Sequence, residues 1–117
     1  MKTIRAILID AENRKIELID IEPGLPSIYK TIKVEMIEAA YLPDGKHHLY
    51  IDEEGMINNT QHGFWMKGMG QPFFGNGIIF SSDEEGNDTG ATILPVDVEI
   101  ELWFNSRMQL AHYIQNH

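Results

Sequence analysis

Cysteine is absent from this chain of 117 residues. Disulfide bonds and thiolate metal sites are therefore excluded. No apolar run approaches the roughly 20 residues that a membrane-spanning helix needs. Residues 1–5 lead straight into an alternating strand pattern and lack the apolar block and cleavage site of a signal peptide. We therefore expect a cytoplasmic protein that has no membrane partner.

Positive charge is scarce in the second part of the chain. Residues 1–46 carry seven Lys and Arg against eight Asp and Glu, whereas residues 47–117 carry two against ten. The formal net charge of the whole chain is −9. A surface of that sign repels a phosphate backbone, so we expect no direct binding to nucleic acid. The negative charge has two further explanations. It could attract a basic partner, or it could simply keep the protein soluble.

Catalytic and metal-binding motifs are also missing. The chain has no Gly-x-Ser-x-Gly, no phosphate loop and no His-x-x-x-His spacing. His47 and His48 are adjacent on a predicted strand, so they point to opposite faces and cannot both bind one ion. The acidic residues 83–88 lack the ligand order of an EF-hand. We therefore expect no metal site and no cofactor. An enzyme would have to bring His48, Asp52 and His62 together.

Alternating apolar residues predict that much of the chain is β-strand. The pattern predicts a single α+β domain over residues 1–117, with a mostly antiparallel sheet of about five strands. A short helix follows the second strand, and a C-terminal helix begins after Ser106, with Met108, Ala111 and Ile114 as its buried side. The predicted strands are residues 3–10, 15–21, 34–42, 47–52 and 78–81, and the predicted helices are 26–33 and 107–115.

Residues 96–104 allow two interpretations. Strict alternation of apolar residues favours a strand. Pro95 at a first helical position, followed by acidic residues, favours a helix. We expect a strand.

The stretch of residues 41–55 predicts a β-hairpin. Pro43-Asp44-Gly45 supplies the turn, and a second turn ends at Gly55. In the outgoing strand, His47, Leu49 and Ile51 point to one face of the sheet. We expect Gly55, like Gly86 in a second Asp-Glu-Glu-Gly turn, to be needed for a positive φ.

Residues 56–77 contain many glycines, aromatic residues and methionines, and they follow neither the strand nor the helix period. We predict a long ordered loop, a kind of segment that is often functional. In one interpretation its glycines allow a ligand to approach, its aromatic rings stack on that ligand, and its Lys meets a phosphate. In the other, the aromatic side chains fold back and complete the core. The candidate ligand-binding residues are Phe64, Trp65, Lys67, Gly68, Gly70, Phe73, Phe74 and Asn76.

Three segments of the chain carry a resemblance to a known family. They are Ile-Arg-Ala-Ile-Leu-Ile-Asp at residues 4–10, the hairpin residues Leu-Pro-Asp-Gly and Leu-Tyr-Ile-Asp-Glu-Glu-Gly within 42–55, and Gly-Asn-Gly-Ile-Ile-Phe followed by Asp-Glu-Glu-Gly within 75–86. Together they resemble a family of small bacterial, phage and plasmid domains of unknown function.

The resemblance covers residues 3–90. Members similar to this pattern tend to end in a short acidic helix, and the strand-like residues 96–104 depart from that ending. The resemblance implies an accessory protein of a mobile element. It implies no catalytic residues.

Three functional hypotheses follow. The first is a non-enzymatic accessory protein that binds a small nucleotide-like ligand or a host protein through residues 63–77. The second is an acidic decoy-type inhibitor that offers its C-terminal charge to a host nucleic-acid-binding protein. The third is an enzyme that uses His48, Asp52 and His62. Exposed edge strands and a Met-rich loop also allow a homodimer.

Overall fold

The computed structural model describes residues 2–58 and 60–116. Within these residues the chain forms nine strands, two α-helices and one 3₁₀-helix. The elements are β1 (Ile4–Asp10), β2 (Lys15–Ile21), α1 (Leu25–Ile32), β3 (Ile37–Tyr41), β4 (His47–Asp52), β5 (Gly63–Met66), β6 (Phe73–Phe74), β7 (Gly77–Ser82), β8 (Asp88–Thr89), the 3₁₀-helix Pro95–Asp97, β9 (Ile100–Phe104) and α2 (Arg107–Asn116).

The main sheet has the strand order β2-β1-β7-β4-β3, with the short β8 paired to β7. Every pairing in it is antiparallel. The predicted α+β fold, with a helix after β2 and a second helix at the C-terminus, is confirmed. The β3–β4 pair is the predicted hairpin, and Tyr41 lies opposite His48 in its register.

The prediction of a loop at residues 56–77 is wrong, because this segment contains two strands. It contributes β5 and β6 to a small second sheet of order β6-β5-β9. Four-residue and two-residue strands are too short to show a period, and a bulge between Trp65 and Met66 interrupts the alternation further. The sequence pattern therefore could not reveal these strands.

Residues 96–104, for which the sequence allowed a strand or a helix, contain part of a helical turn followed by a strand. Ile100–Phe104 is β9, as expected, whereas Pro95–Asp97 is a single 3₁₀ turn that begins with the proline. The Asp97 side chain accepts a hydrogen bond from the Leu94 N–H at 2.8 Å, which caps this turn. The strand prediction is wrong for the first part of the segment.

Two cores cover the two faces of the main sheet. On one face, Ile28 and Ile32 of α1 pack with Ala6, Ile78 and Phe80. The other face packs against the small sheet, and this second core contains Ile7, Ile9, Leu49, Ile51, Phe64, Phe73 and Ile79. Strand β1 is therefore covered on both of its faces.

Helix α2 packs on the outer side of the small sheet. Its Leu110 contacts a cluster that contains Phe74 and Phe104. The predicted buried side of this helix is wrong, because Met108, Ala111 and Ile114 are all exposed. The layers follow the order α1, main sheet, small sheet and α2. Neither described helix has the length and apolar character to span a membrane.

The two Asp-Glu-Glu-Gly turns use their glycines differently. Gly86 has a φ of 84°, as expected. Gly55 does not have a positive φ, so that expectation is wrong. A Cβ at Gly55 would instead lie 2.8 Å from the Cβ of Phe74. Gly55 is therefore required by close packing against β6 and not by its backbone angle.

Candidate functional site

Three of the four aromatic candidates in residues 63–77 lie in the protein interior. Phe64 and Phe73 pack between the two sheets, and Phe74 packs beneath α2. The rings of Phe64 and Phe73 lie 5.7 Å apart, and the rings of Phe74 and Phe104 lie 5.4 Å apart. These contacts favour the interpretation in which the aromatic residues complete the core.

Trp65 is half-buried and supports a turn of the backbone. Its indole Nε1 donates a hydrogen bond to the carbonyl oxygen of Met69 at 2.9 Å. Its ring lies 5.9 Å from the ring of Tyr113 on α2. Within the turn, Gly68 has a φ of 85°. Trp65 thus holds the turn that follows β5 against the rest of the small sheet.

The remaining candidates have separate positions. The Asn76 side-chain oxygen accepts a hydrogen bond from the Ala11 N–H at 2.9 Å, which ties the β6–β7 turn to the end of β1. Gly70 is exposed, with open space around it. Lys67 is exposed, and its Nζ lies 3.1 Å from a carboxylate oxygen of Glu99. Of the eight candidates, Lys67 lines the cleft described next.

A cleft of about 240 Å³ opens where the β3–β4 turn, the end of β5 and the segment before β9 meet. We call it the acidic cleft. Its floor is apolar, because Leu42, Met66 and Val98 are buried there. Its rim is polar and exposed. The lining residues are Leu42, Pro43, Asp44, Met66, Lys67, Ile93, Asp97, Val98 and Glu99.

The rim of the acidic cleft is dominated by carboxylates. Asp44, Asp97 and Glu99 stand there, and among the described lining residues Lys67 is the one cation. Because Lys67 pairs with Glu99, it balances one of the three negative charges. An excess of about two negative charges is left at the mouth of an apolar hollow.

Asp44 is the most firmly held of these carboxylates. Burial alone would raise the pKa of its carboxyl, but hydrogen bonds from the backbone N–H groups of His47 and Lys46 outweigh that effect. Those bonds measure 2.9 and 2.8 Å. The pKa of Asp44 is therefore lowered from its ordinary value, which keeps the group charged at neutral pH.

His47 joins the two sides of the acidic cleft. Its side chain is buried, at 1% exposure. Its Nε2 accepts a hydrogen bond from the Thr92 N–H at 3.0 Å, and the Thr92 hydroxyl lies 3.1 Å from the same nitrogen. Its Nδ1 lies 2.7 Å from an Asp44 oxygen. Because Nε2 accepts a hydrogen bond, Nδ1 carries the ring proton, and this N–H donates a hydrogen bond to the Asp44 carboxylate.

The sequence contains a signal for the burial of His47 and its pairing with Asp44. His47 shares the inward face of β4 with Leu49 and Ile51, so its burial follows from the strand pattern. A buried imidazole needs partners for both nitrogens, and Asp44 stands three residues away in the turn. The contribution of residues 92–99 had no such signal, because it depends on how the chain returns from β7 to β9.

The three residues named for an enzyme do not assemble. The Nε2 of His48 lies 3.3 Å from a carboxylate oxygen of Asp88, and His48 is not among the residues that line the hollow shared by Asp52 and His62. Asp52 accepts a hydrogen bond from the Glu54 N–H at 2.9 Å. Asp52 and His62 do line one small polar hollow of about 140 Å³. Among the described residues, no group of three or more His, Asp or Glu is placed to hold a metal ion.

Comparison with known proteins places the chain in a family. A family model described as a domain of unknown function, DUF3846, matches residues 4–105. The chain belongs to the DUF3846 family. No curated protein and no solved structure matches it. The match to the DUF3846 model spans every described strand and all residues that line the acidic cleft, whereas α2 lies beyond it.

Proposed function

We propose that this DUF3846 protein is a non-enzymatic binding protein whose acidic cleft receives a basic side chain of a protein partner. The observation that carries the proposal is the rim of Asp44, Asp97 and Glu99 around an apolar floor. A Lys or Arg side chain has the matching structure, since an apolar stem bears a charged head. The stem would contact Leu42 and Met66, and the head would meet the carboxylates.

The size of the cleft supports a single side chain. Its volume of about 240 Å³ lies below the range of about 300–1,000 Å³ in which pockets enclose drug-sized ligands. An Arg guanidinium also suits the rim, because it can donate two parallel hydrogen bonds to a carboxylate. The cleft thus fits one residue of a larger partner better than it fits a whole nucleotide.

Charge supports the protein ligand over the nucleotide-like ligand. Lys67, the expected phosphate contact, is already paired with Glu99 at 3.1 Å. A phosphate would meet the excess negative charge of the rim and be repelled. The surrounding chain adds to this effect, because residues 47–117 carry ten acidic against two basic residues. The same field would speed the encounter with a basic partner, as the acidic decoy hypothesis also requires.

A peptide titration tests the proposal. Acetyl-Gly-Arg-Gly-amide is compared with the same peptide carrying citrulline, which has the shape of arginine but no charge. We expect the amide chemical shifts of Leu42, Asp44 and residues 97–99 to move with the arginine peptide and to stay in place with the citrulline peptide. No shift at those residues with the arginine peptide would refute the proposed site.

Two double variants distinguish the effect of the cleft carboxylates on peptide binding from the effect of the protein's net charge. The double variant Asp97→Asn and Glu99→Gln removes two rim charges, whereas Glu84→Gln and Glu85→Gln removes two charges from an exposed turn. We expect the first double variant to raise the Kd for the arginine peptide about tenfold. The second should change this Kd by less than about twofold. Equal effects would mean that the peptide responds to the general field and not to the cleft.

We also propose, from the resemblance, that the protein is an accessory protein of a phage or plasmid and that its partner is a host protein. A survey of where genes for DUF3846 proteins lie tests this part separately. Genes that lie mainly outside prophages and plasmids would remove the mobile-element role and leave the cleft proposal unaffected.

A further inference from the structure

The face of the main sheet that carries α1 is covered along only part of its length. Ile28 and Ile32 of α1 pack there with Ile78 and Phe80. Toward the β3–β4 turn the same face is open, and the Tyr41 side chain is 70% exposed. This region lies on the opposite face of the sheet from the acidic cleft.

A notch of about 180 Å³ opens in that uncovered region. Ala39, the cross-strand neighbour of Tyr50, is exposed and bears only a methyl group beside the larger rings of the lining. We call this hollow the aromatic notch. It is lined by Ala39, Tyr41, His48, Tyr50, Ser82 and Gly86.

Three rings form the walls of the aromatic notch. The ring centroids of Tyr41 and His48 lie 5.7 Å apart, and their planes are inclined by 85°. The rings of His48 and Tyr50 lie 5.3 Å apart, inclined by 71°. Neighbouring rings thus meet edge to face, and all three residues line the notch. The faces of the two tyrosine rings carry negative electrostatic potential.

A carboxylate stands behind two of these rings. Oδ1 of Asp88 accepts a hydrogen bond from the Tyr50 hydroxyl at 2.8 Å and lies 3.3 Å from Nε2 of His48. Burial and this neighbouring carboxylate raise the pKa of Tyr50, so its ring stays neutral. Among the described residues that line the notch, none is Lys or Arg, and the one imidazole, His48, lies beside the Asp88 carboxylate. The local field therefore favours a cation.

We propose that the aromatic notch binds a quaternary or trimethylated ammonium group. Aromatic walls attract such a cation through the cation–π interaction. Its methyl groups fill an apolar space, and it needs no hydrogen-bond acceptor from the protein. An unmodified ammonium would have to give up its water for rings that accept its three N–H groups poorly. The site is separate from the acidic cleft and does not depend on the function proposed there.

A pair of isosteric probes tests the charge requirement. Choline is compared with 3,3-dimethyl-1-butanol, which has the same shape and no charge, while the Tyr41 and Tyr50 ring resonances are followed by NMR. We expect choline to shift these resonances in a saturable manner and the alcohol to leave them unchanged. If both compounds bind equally, or if choline does not bind, the proposal is overturned.

Two variants test whether choline binds in the aromatic notch, and both are expected to fold. Ala39→Leu fills the notch and removes no ring, and Tyr41→Leu removes one exposed ring. We expect Ala39→Leu to abolish choline binding and Tyr41→Leu to weaken the Kd by about two- to fivefold. Ala111→Leu, at an exposed position of α2, is the matched control and should bind as the wild type. Wild-type binding by a folded Ala39→Leu variant would overturn the proposal.

A peptide pair distinguishes the two sources of the cation. A short peptide that carries trimethyllysine is compared with the same peptide carrying lysine. Tighter binding of the trimethyllysine peptide than of choline would assign the notch to a modified protein side chain, and weaker binding would assign it to a small molecule. Equal affinity for the two peptides would contradict the requirement for methylation.

Discussion

His47 donates a hydrogen bond from Nδ1 to a carboxylate oxygen of Asp44 across 2.7 Å. On the other side of the ring, Nε2 accepts the Thr92 N–H at 3.0 Å. One buried imidazole therefore links the β3–β4 turn to the strand-free segment before β9. These are the two chain segments that face each other across the acidic cleft, so the shape of the cleft depends on this ring.

Replacement of His47 by leucine tests that dependence. The leucine would remove both hydrogen bonds of the buried imidazole, the one to the Thr92 N–H and the charge-assisted one to an Asp44 oxygen. We expect a loss of about 2–4 kcal/mol in the free energy of unfolding, measured by urea denaturation. The control His112→Leu, at an exposed position of α2, should change it by less than about 0.5 kcal/mol. A similar small change for both variants would show that the His47 contacts do not stabilise the fold.

Gly63 is the position at which the small sheet is most sensitive to a methyl group. A Cβ added there would collide with the backbone oxygen of Phe73 and would lie 2.5 Å from the Phe104 ring. We expect Gly63→Ala to cost at least about 1–3 kcal/mol, because both neighbours belong to packed strands. Gly70→Ala is the matched control, since nothing lies within 4 Å of its added Cβ. Thermal melts that do not distinguish the two variants would argue against the β5–β6 pairing.

Much of the main sheet could be predicted from the sequence because its strands are long enough to show a period. β1 and β2 have seven residues each, and the Asp-Gly turn specifies the β3–β4 hairpin. The small sheet could not be predicted in this way. β6 has two residues, and β5 reaches its partner β9 only after about 35 intervening residues of chain.

The candidate site shows the same division. The burial of His47 and the exposure of Lys67 follow from local pattern and charge. The acidic cleft does not, because Asp44, Met66 and Asp97 come from three distant segments. The aromatic residues at 63–77 marked a real structural feature, although the feature is largely a core. Only the contacts of the folded chain separate a buried Phe64 from a half-buried Trp65.

The titration of Asp44 gives a pH test of the hairpin turn. Its carboxyl pKa is lowered from the ordinary value of 3.8, so the folded state binds its proton less readily than the unfolded state does. The stabilisation is present above pH 3.8 and is lost as the pH falls through the folded pKa. We expect the Asp44 carboxyl carbon, followed by NMR, to titrate below pH 3.8. A midpoint at or above that value would mean that the hydrogen bonds from His47 and Lys46 do not form in solution.

Hydrogen exchange of the Lys46 and His47 amides, which donate to Asp44, checks the same hydrogen bonds independently. In the Asp44→Asn variant, hydrogen exchange at the Lys46 and His47 amides should be faster than in the wild type at neutral pH, because a neutral oxygen accepts more weakly than a carboxylate. The amides of residues 7–9 in β1 should exchange as before. Unchanged exchange at Lys46 would contradict a charge-dependent turn.

Variants of Trp65 test whether this residue supports the fold or contacts a ligand. Its indole donates to the Met69 carbonyl and its ring packs near Tyr113, while Met66, the next residue, lines the acidic cleft. We expect Trp65→Ala to destabilise the fold by about 2–3 kcal/mol, because a large half-buried ring is lost. Trp65→Phe keeps most of that packing and loses the indole donor, so it should cost about 1 kcal/mol.

The two Trp65 variants also bear on binding. Since Trp65 does not line the acidic cleft, folded Trp65→Phe should bind the arginine peptide within about twofold of the wild type, as measured by the NMR titration described above. A loss of binding in Trp65→Phe at unchanged stability would place the ligand on the indole itself. That result would favour the stacking role expected for residues 63–77 and move the binding site away from the cleft, to the side of the small sheet that faces α2.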